Sequence, residues 1–90
     1  MRSAKDIEAL VTAFIREEIL GEPELPIDVE ENLFTGGLVD SIGIMHVIAH
    51  LESELDMKIP PADLVPKNFR SVAVMSAYLE RTLKDPAGGR

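Results

Sequence analysis

Ninety residues fit one small domain, and a 46% hydrophobic content suffices for a single core but leaves little room for a deep catalytic cleft. The net charge of −7 excludes a phosphate-tracking nucleic-acid groove, and the absence of cysteine excludes a disulfide framework or a thiolate metal site. The acid is concentrated: from Glu17 through Asp56 there is no Lys or Arg while eleven Asp or Glu residues occur, a field that repels polyanions and draws basic partner surfaces.

The opening MRSAKDIEALVTAF mixes charges into its apolar positions, unlike a signal peptide, and no apolar run approaches bilayer length. The expectation is a cytoplasmic protein with no membrane insertion. Ile7, Leu10, Val11, Phe14, Ile15 and Ile19 recur at helical spacing and predict an amphipathic helix over residues 4–20, ended by Gly21, Pro23 and Pro26. Residues 21–40 read as a loop, too long to be an idle connection in so small a domain. Leu33 and Phe34 are expected to pin it to the core, with Gly36 and Gly37 freeing the backbone before the next element.

A second helix is predicted over 41–56 with Asp40 as its N-cap. Ile44, Val47, Ile48, Leu51 and Leu55 form its core stripe, while Ile42, Met45 and Ala49 make a second, narrower apolar row that a core does not need. A short helix is expected over 61–65, closed by Pro66, and a last one over 71–84, capped by Ser71, with Val72, Met75, Tyr78, Leu79 and Leu83 inward. Residues 85–90 are expected to fray. Phe14, Phe34, Phe69 and Tyr78 are assigned to the core or its edge. With neither strand alternation nor an internal repeat, the chain reads as a single all-α domain over residues 1–90, a small four-helix bundle of three main helices and one short one.

The candidate site is Asp40-Ser41. On residue types alone the pair also reads as an ordinary helix start. Its setting says more. Ser41 occupies the first helical position with its hydroxyl outward, where a phosphodiester would meet unpaired N–H groups and the positive end of the helix dipole. The second apolar row begins at the next residue, and acids surround both. These features favour a serine loaded after translation.

The stretch GGLVDSIGIMHVIAHLESELDMKIPPADLVPKNFRSVAVMSAYLE resembles the acyl carrier, peptidyl (aminoacyl) carrier and D-alanyl carrier proteins. The resemblance rests on Leu33-Phe34, the Gly-Leu-Val-Asp-Ser lead-in, the apolar rhythm of the second helix, Ile59-Pro60, Asp63-Leu64 and the Asn68-Phe69-Arg70-Ser71-Val72 entry to the last helix. It implies an acyl-carrier-like fold and a 4′-phosphopantetheine cofactor, moved from coenzyme A onto Ser41 by a phosphopantetheinyl transferase. The arm would bear an acyl or aminoacyl group as a thioester, charged by an activating ligase or synthetase and discharged by a downstream acyl-transfer enzyme. The implied protein is a free-standing monomeric shuttle, not an enzyme, so no catalytic residue is assigned.

Gly43 and His46 stand where fatty-acid carriers often have acids. Docking is therefore expected through Ile42, Met45 and Ala49, with His46, Leu38 and Val39 beside them. The Asp-Ser-Ile-Gly start is closer to carriers that serve amino-acid or specialised acyl ligases. Fatty-acid, polyketide, nonribosomal-peptide and amino-acid-activation pathways all stay open.

The same residues admit three other readings. A Ser41–His46 hydrolase fails because His46 lies over a turn away and Asp40 precedes the serine instead of backing the histidine. His46, His50 and Glu54 have a spacing that can hold zinc on one face, but no further His completes a site; they read as a solvent-facing polar stripe and no metal is assigned. The alternative function is an unmodified helical interaction adaptor using Ile42, Met45 and Ala49.

Overall fold

Ser3 opens α1 (Ala4–Phe14) through a reciprocal capping box: its hydroxyl accepts the Asp6 N–H at 3.2 Å, and the Asp6 carboxylate accepts the Ser3 N–H at 3.1 Å. The protein is known from a computed structural model that describes residues 3–84; the tail expected to fray, 85–90, lies outside the described residues. The stretch predicted as one helix over 4–20 is α-helical only to Phe14 and continues as a π-helical turn, Ile15–Ile19, closed by Leu20 N–H to Ile15 O at 2.9 Å. The wider turn changes the helical phase, so that Ile15, Ile19 and Leu20 all reach the core or its edge.

α2 (Ser41–Leu55) is capped by Asp40 and stopped by Asp56, which takes the left-handed conformation at φ 52° that a short polar residue tolerates. The 61–65 segment differs from expectation. A 3₁₀ turn covers Pro61–Asp63, and Pro66, expected to close the segment, instead opens a separate helical turn, α3 (Pro66–Phe69). A proline lacks an N–H that a first turn does not use and presets its φ, so each proline starts a turn. It also forces the preceding Val65 to be extended, at φ −127° and ψ 153°, which separates the two. α4 (Val72–Lys84) follows, with the Ser71 hydroxyl accepting the Val74 N–H at 3.1 Å.

The core is one cluster. Ile7 and Val11 from α1 and Ile15 from the π-helical turn meet the inner stripe of α2, Ile44, Val47, Ile48, Leu51 and Leu55, and Val72, Met75, Tyr78 and Leu79 of α4. α1 lies chiefly along α4. No strand occurs among the described residues, and the all-helical bundle expected from the sequence is the observed architecture, with two short helical turns in place of one. Among those residues no helix is long and apolar enough to cross a membrane.

The long loop is stitched down, not loose. Leu33 is fully buried; its N–H donates to Arg70 O at 2.7 Å, and Ala73 donates to Val29 O at 2.8 Å. Leu38 and Val39 both donate to Leu33 O, at 3.1 and 3.2 Å, so the lead-in to α2 folds back on that anchor. Gly37, at φ 80°, supplies the left-handed residue this reversal requires.

Candidate functional site

The start of α2 is built by its cap. Asp40 has extended backbone, and its Oδ1 accepts the Gly43 N–H at 2.7 Å. Its carbonyl takes the first intrahelical bond from Ile44 at 2.9 Å. That leaves the N–H groups of Ser41 and Ile42 as the two donors with no partner inside the helix, facing outward beside an exposed Ser41. Fifteen residues of aligned peptide dipoles point their positive end at the same spot.

Ser41 lies on the rim of a groove of about 310 Å³, walled by Phe34 on one side, Ile44, Met45 and Ile48 of α2 below, and Leu64, Val65, Pro66 and Phe69 on the other. Apart from the serine its lining is apolar. The far wall is fixed by Asp63, whose carboxylate accepts the Tyr78 hydroxyl at 2.6 Å and whose carbonyl accepts the Asn68 amide at 2.9 Å; Phe69 packs edge-on against Tyr78.

The structure brings Ile42, Met45, His46 and Ala49 to the outer face of α2, all exposed, with Ile42 at 70% and Met45 at 56%. Two of the expected docking residues do not join them. Val39 is only 4% exposed and belongs to the core, because its N–H bond to Leu33 O turns it inward. Leu38 is half-buried against the same core. Ala49 lies farther down the helix, beside a separate polar hollow lined by Glu52, Ser53, Asp56, Met57 and Lys58.

Phe34 also departs from expectation. It stands out of the core at 38% exposure, because the Asn32 side chain accepts the N–H groups of Phe34 and Thr35 at 2.9 and 3.0 Å and turns the chain outward. Phe34 and Leu64 are thus site residues that sequence reasoning missed; the available signal was the asparagine two positions before Phe34. Gly43, read as an acid lost from the docking surface, is buried, so the departure from acidic carriers on that surface reduces to His46. His50 is not part of a solvent-facing stripe with His46. It is half-buried and stacks on Phe14 with ring centroids 4.2 Å apart, because α1 covers that flank of α2. No group of three metal-ligating side chains that could hold an ion exists among the described residues.

An exposed hydroxyl on a helix N-terminus with free N–H donors beside it fits a phosphodiester, and the apolar groove next to it fits the uncharged part of a long flexible arm. Comparison with known proteins gives the family. The family described as "Phosphopantetheine attachment site" matches residues 8–79. Aminoacyl carrier protein 2 of Bradyrhizobium diazoefficiens is 28% identical over 88 residues, covering 96% of this chain and 97% of that one. The D-alanyl carrier protein of Lactococcus lactis subsp. cremoris is 27% identical over 66 residues, 73% of this chain and 84% of that one. A chain in the crystal structure of Bradyrhizobium japonicum glycine:[carrier protein] ligase complexed with glycylated carrier protein superposes with a TM-score of 0.62. At 24% identity over 80% of this chain and 92% of that one, the likeness establishes the shared fold.

Proposed function

We propose that this chain, which belongs to the phosphopantetheine attachment site family, carries its prosthetic group on Ser41 and delivers aminoacyl cargo between partner enzymes. Family membership makes it a carrier protein with a covalently attached phosphopantetheine. When attached, the group supplies a terminal thiol that holds acyl or aminoacyl cargo as a thioester, chemistry that a chain without cysteine cannot provide from its own side chains.

The observation that carries the assignment is the position of Ser41: exposed, first in its helix, and on the rim of the apolar groove. In loading, Ser41 Oγ forms a bond to the phosphorus of coenzyme A that bears the pantetheine. The bond from that phosphorus to the adenosine bisphosphate oxygen breaks, and the serine proton passes to a base supplied by the transferase. Asp40 Oδ1 is engaged by the Gly43 N–H as the cap of α2. The Ser41 and Ile42 N–H groups would be the donors available to that phosphate, and the positive end of the α2 dipole would favour its charge.

The partners are a phosphopantetheinyl transferase, a ligase that activates an amino acid, and a downstream enzyme that takes the cargo. The named relatives support the aminoacyl class and the ligase. They meet Ile42, Met45 and His46, with Phe34 and Leu64 across the groove. The chain itself acts as a monomer in the cytoplasm and catalyses no reaction. Incubation with coenzyme A and a promiscuous phosphopantetheinyl transferase, read by intact mass, tests this. One added phosphopantetheine that disappears in Ser41→Ala is expected; an unchanged wild-type mass would overturn the assignment and favour an unmodified adaptor.

A further inference from the structure

We infer that Gly43 is a positioning residue for loading: by lacking a Cβ it lets Val39 and the Asp40 carboxylate close on the first turn of α2, and so fixes the backbone that presents the Ser41 hydroxyl. The inference rests on Ser41 being the loaded residue.

Gly43 is the third residue of α2 and is buried. Its φ is not positive, unlike those of Gly21 and Gly37, so no special conformation requires a glycine there. Within a helix, glycine is a poorer choice than alanine because it leaves more backbone entropy to lose. What remains is space. A Cβ built at position 43 would stand 3.0 Å from Val39 Cγ1, 3.2 Å from Asp40 Oδ1 and 3.9 Å from Ile19 Cγ2.

None of the two close neighbours can withdraw freely. Val39 is 4% exposed and tied through its N–H to Leu33 O. Asp40 would have to lengthen its 2.7 Å bond to the Gly43 N–H. Behind them lies Ile19, brought to this point by the π-helical turn at the end of α1. The residues that must move are therefore Val39 and Asp40, the two immediately before Ser41. The helix end, the folded-back loop and the first turn of α2 converge on a position where the absence of one methyl sets the geometry.

The transferase has to bring a phosphorus into line with Ser41 Oγ, a step sensitive to displacements well under an ångström. The test measures loading kinetics with coenzyme A and transferase on four full-length proteins: wild type, Gly43→Ala, Val39→Ala and the double variant. Gly43→Ala is expected to lower kcat/KM for loading by about tenfold, through kcat, with the KM for coenzyme A unchanged. In the Val39→Ala background, where Cγ1 is gone, the same glycine change is expected to cost about twofold or less, although the double variant melts lower than Gly43→Ala alone. A role confined to stability would give the opposite order, with the double variant the slowest, and would overturn the inference. So would equal loading of Gly43→Ala and wild type. Should Gly43→Ala fail to fold, the Val39→Ala and double variants carry the comparison: near-equal loading supports positioning, and a tenfold gap overturns it. Failure of the wild type to load overturns the Ser41 assignment itself and is read separately.

Discussion

Replacing Asp40 with alanine removes the carboxylate oxygen that accepts the Gly43 N–H at 2.7 Å, and with it the side-chain cap on α2. Loss of an N-cap costs about 0.5–2 kcal/mol. The short bond and the buried Gly43 beneath it place this site in the upper half of that range, since the freed N–H points into packed surroundings and not into open water. In a domain of this length, 1 kcal/mol lowers Tm by about 4–8 °C, so Asp40→Ala is expected to melt roughly 5–16 °C below wild type. Asp40→Asn separates the two contributions. It keeps an acceptor but loses the charge, and an exposed charge at a helix N-terminus contributes only about 0.3–1 kcal/mol. The asparagine variant should therefore lie between the other two, and the gap between it and wild type should shrink in 1 M salt, where screening is nearly complete over a few ångströms. Thermal melts by circular dichroism at two salt concentrations, with urea titrations beside them, read both effects. Equal Tm for Asp40→Ala and wild type would show that the carboxylate does not cap α2. An asparagine variant as unstable as alanine would show that charge, not the hydrogen bond, dominates.

Ser41→Ala should fold within about 0.5 kcal/mol of wild type by urea titration, because the residue is exposed, while losing all mass gain on loading. Leu51→Ala should lose about 2–5 kcal/mol, since the side chain is fully buried between α2 and the rest of the core; a loss under 1 kcal/mol would mean that the inner face of α2 is misassigned. Ser76→Ala should raise the urea midpoint. The Ser76 hydroxyl is fully buried with no hydrogen-bond partner, so its removal relieves an uncompensated polar group, worth about 1–3 kcal/mol, and puts a better helix former in α4; a lower midpoint would refute this.

The inner faces were legible because a helix repeats. Ile44, Val47, Ile48, Leu51 and Leu55 recur at the spacing of one stripe, and every one of them is buried. The cap at Asp40 and the outward Ser41 follow from the same phase. The loop carries no such period. Val39 sits one residue from the cap and reads as surface, yet one backbone bond to Leu33 O turns it inward, while Asn32 turns Phe34 outward two residues later. Neither direction is encoded in hydrophobicity. Likewise His46 and His50 share a helical row, and only the way α1 crosses α2 decides that one meets water and the other meets Phe14. The π turn at Ile15–Ile19 likewise brings Ile19 beside the first turn of α2, a placement that the local pattern of α1 does not contain.

α2 thus has two unlike faces, and under the proposed assignment the difference suits a carrier. The inner stripe is dry and commits the fold. The outer row around Ser41 bears no net charge in the first turns, although the surrounding chain is strongly acidic, so distant attraction and close contact are supplied by different residues. Full burial of Ile42 and Met45 against a partner would yield about 1.5–3 kcal/mol each, which only begins to meet the roughly 4–15 kcal/mol of lost freedom on association. Ile42 and Met45 alone are therefore too few to hold an enzyme for long. On that assignment, a loaded arm would add contact inside the partner's active site, and loss of the cargo would remove part of it. Under the proposed assignment, the small apolar face makes docking conditional on what Ser41 carries.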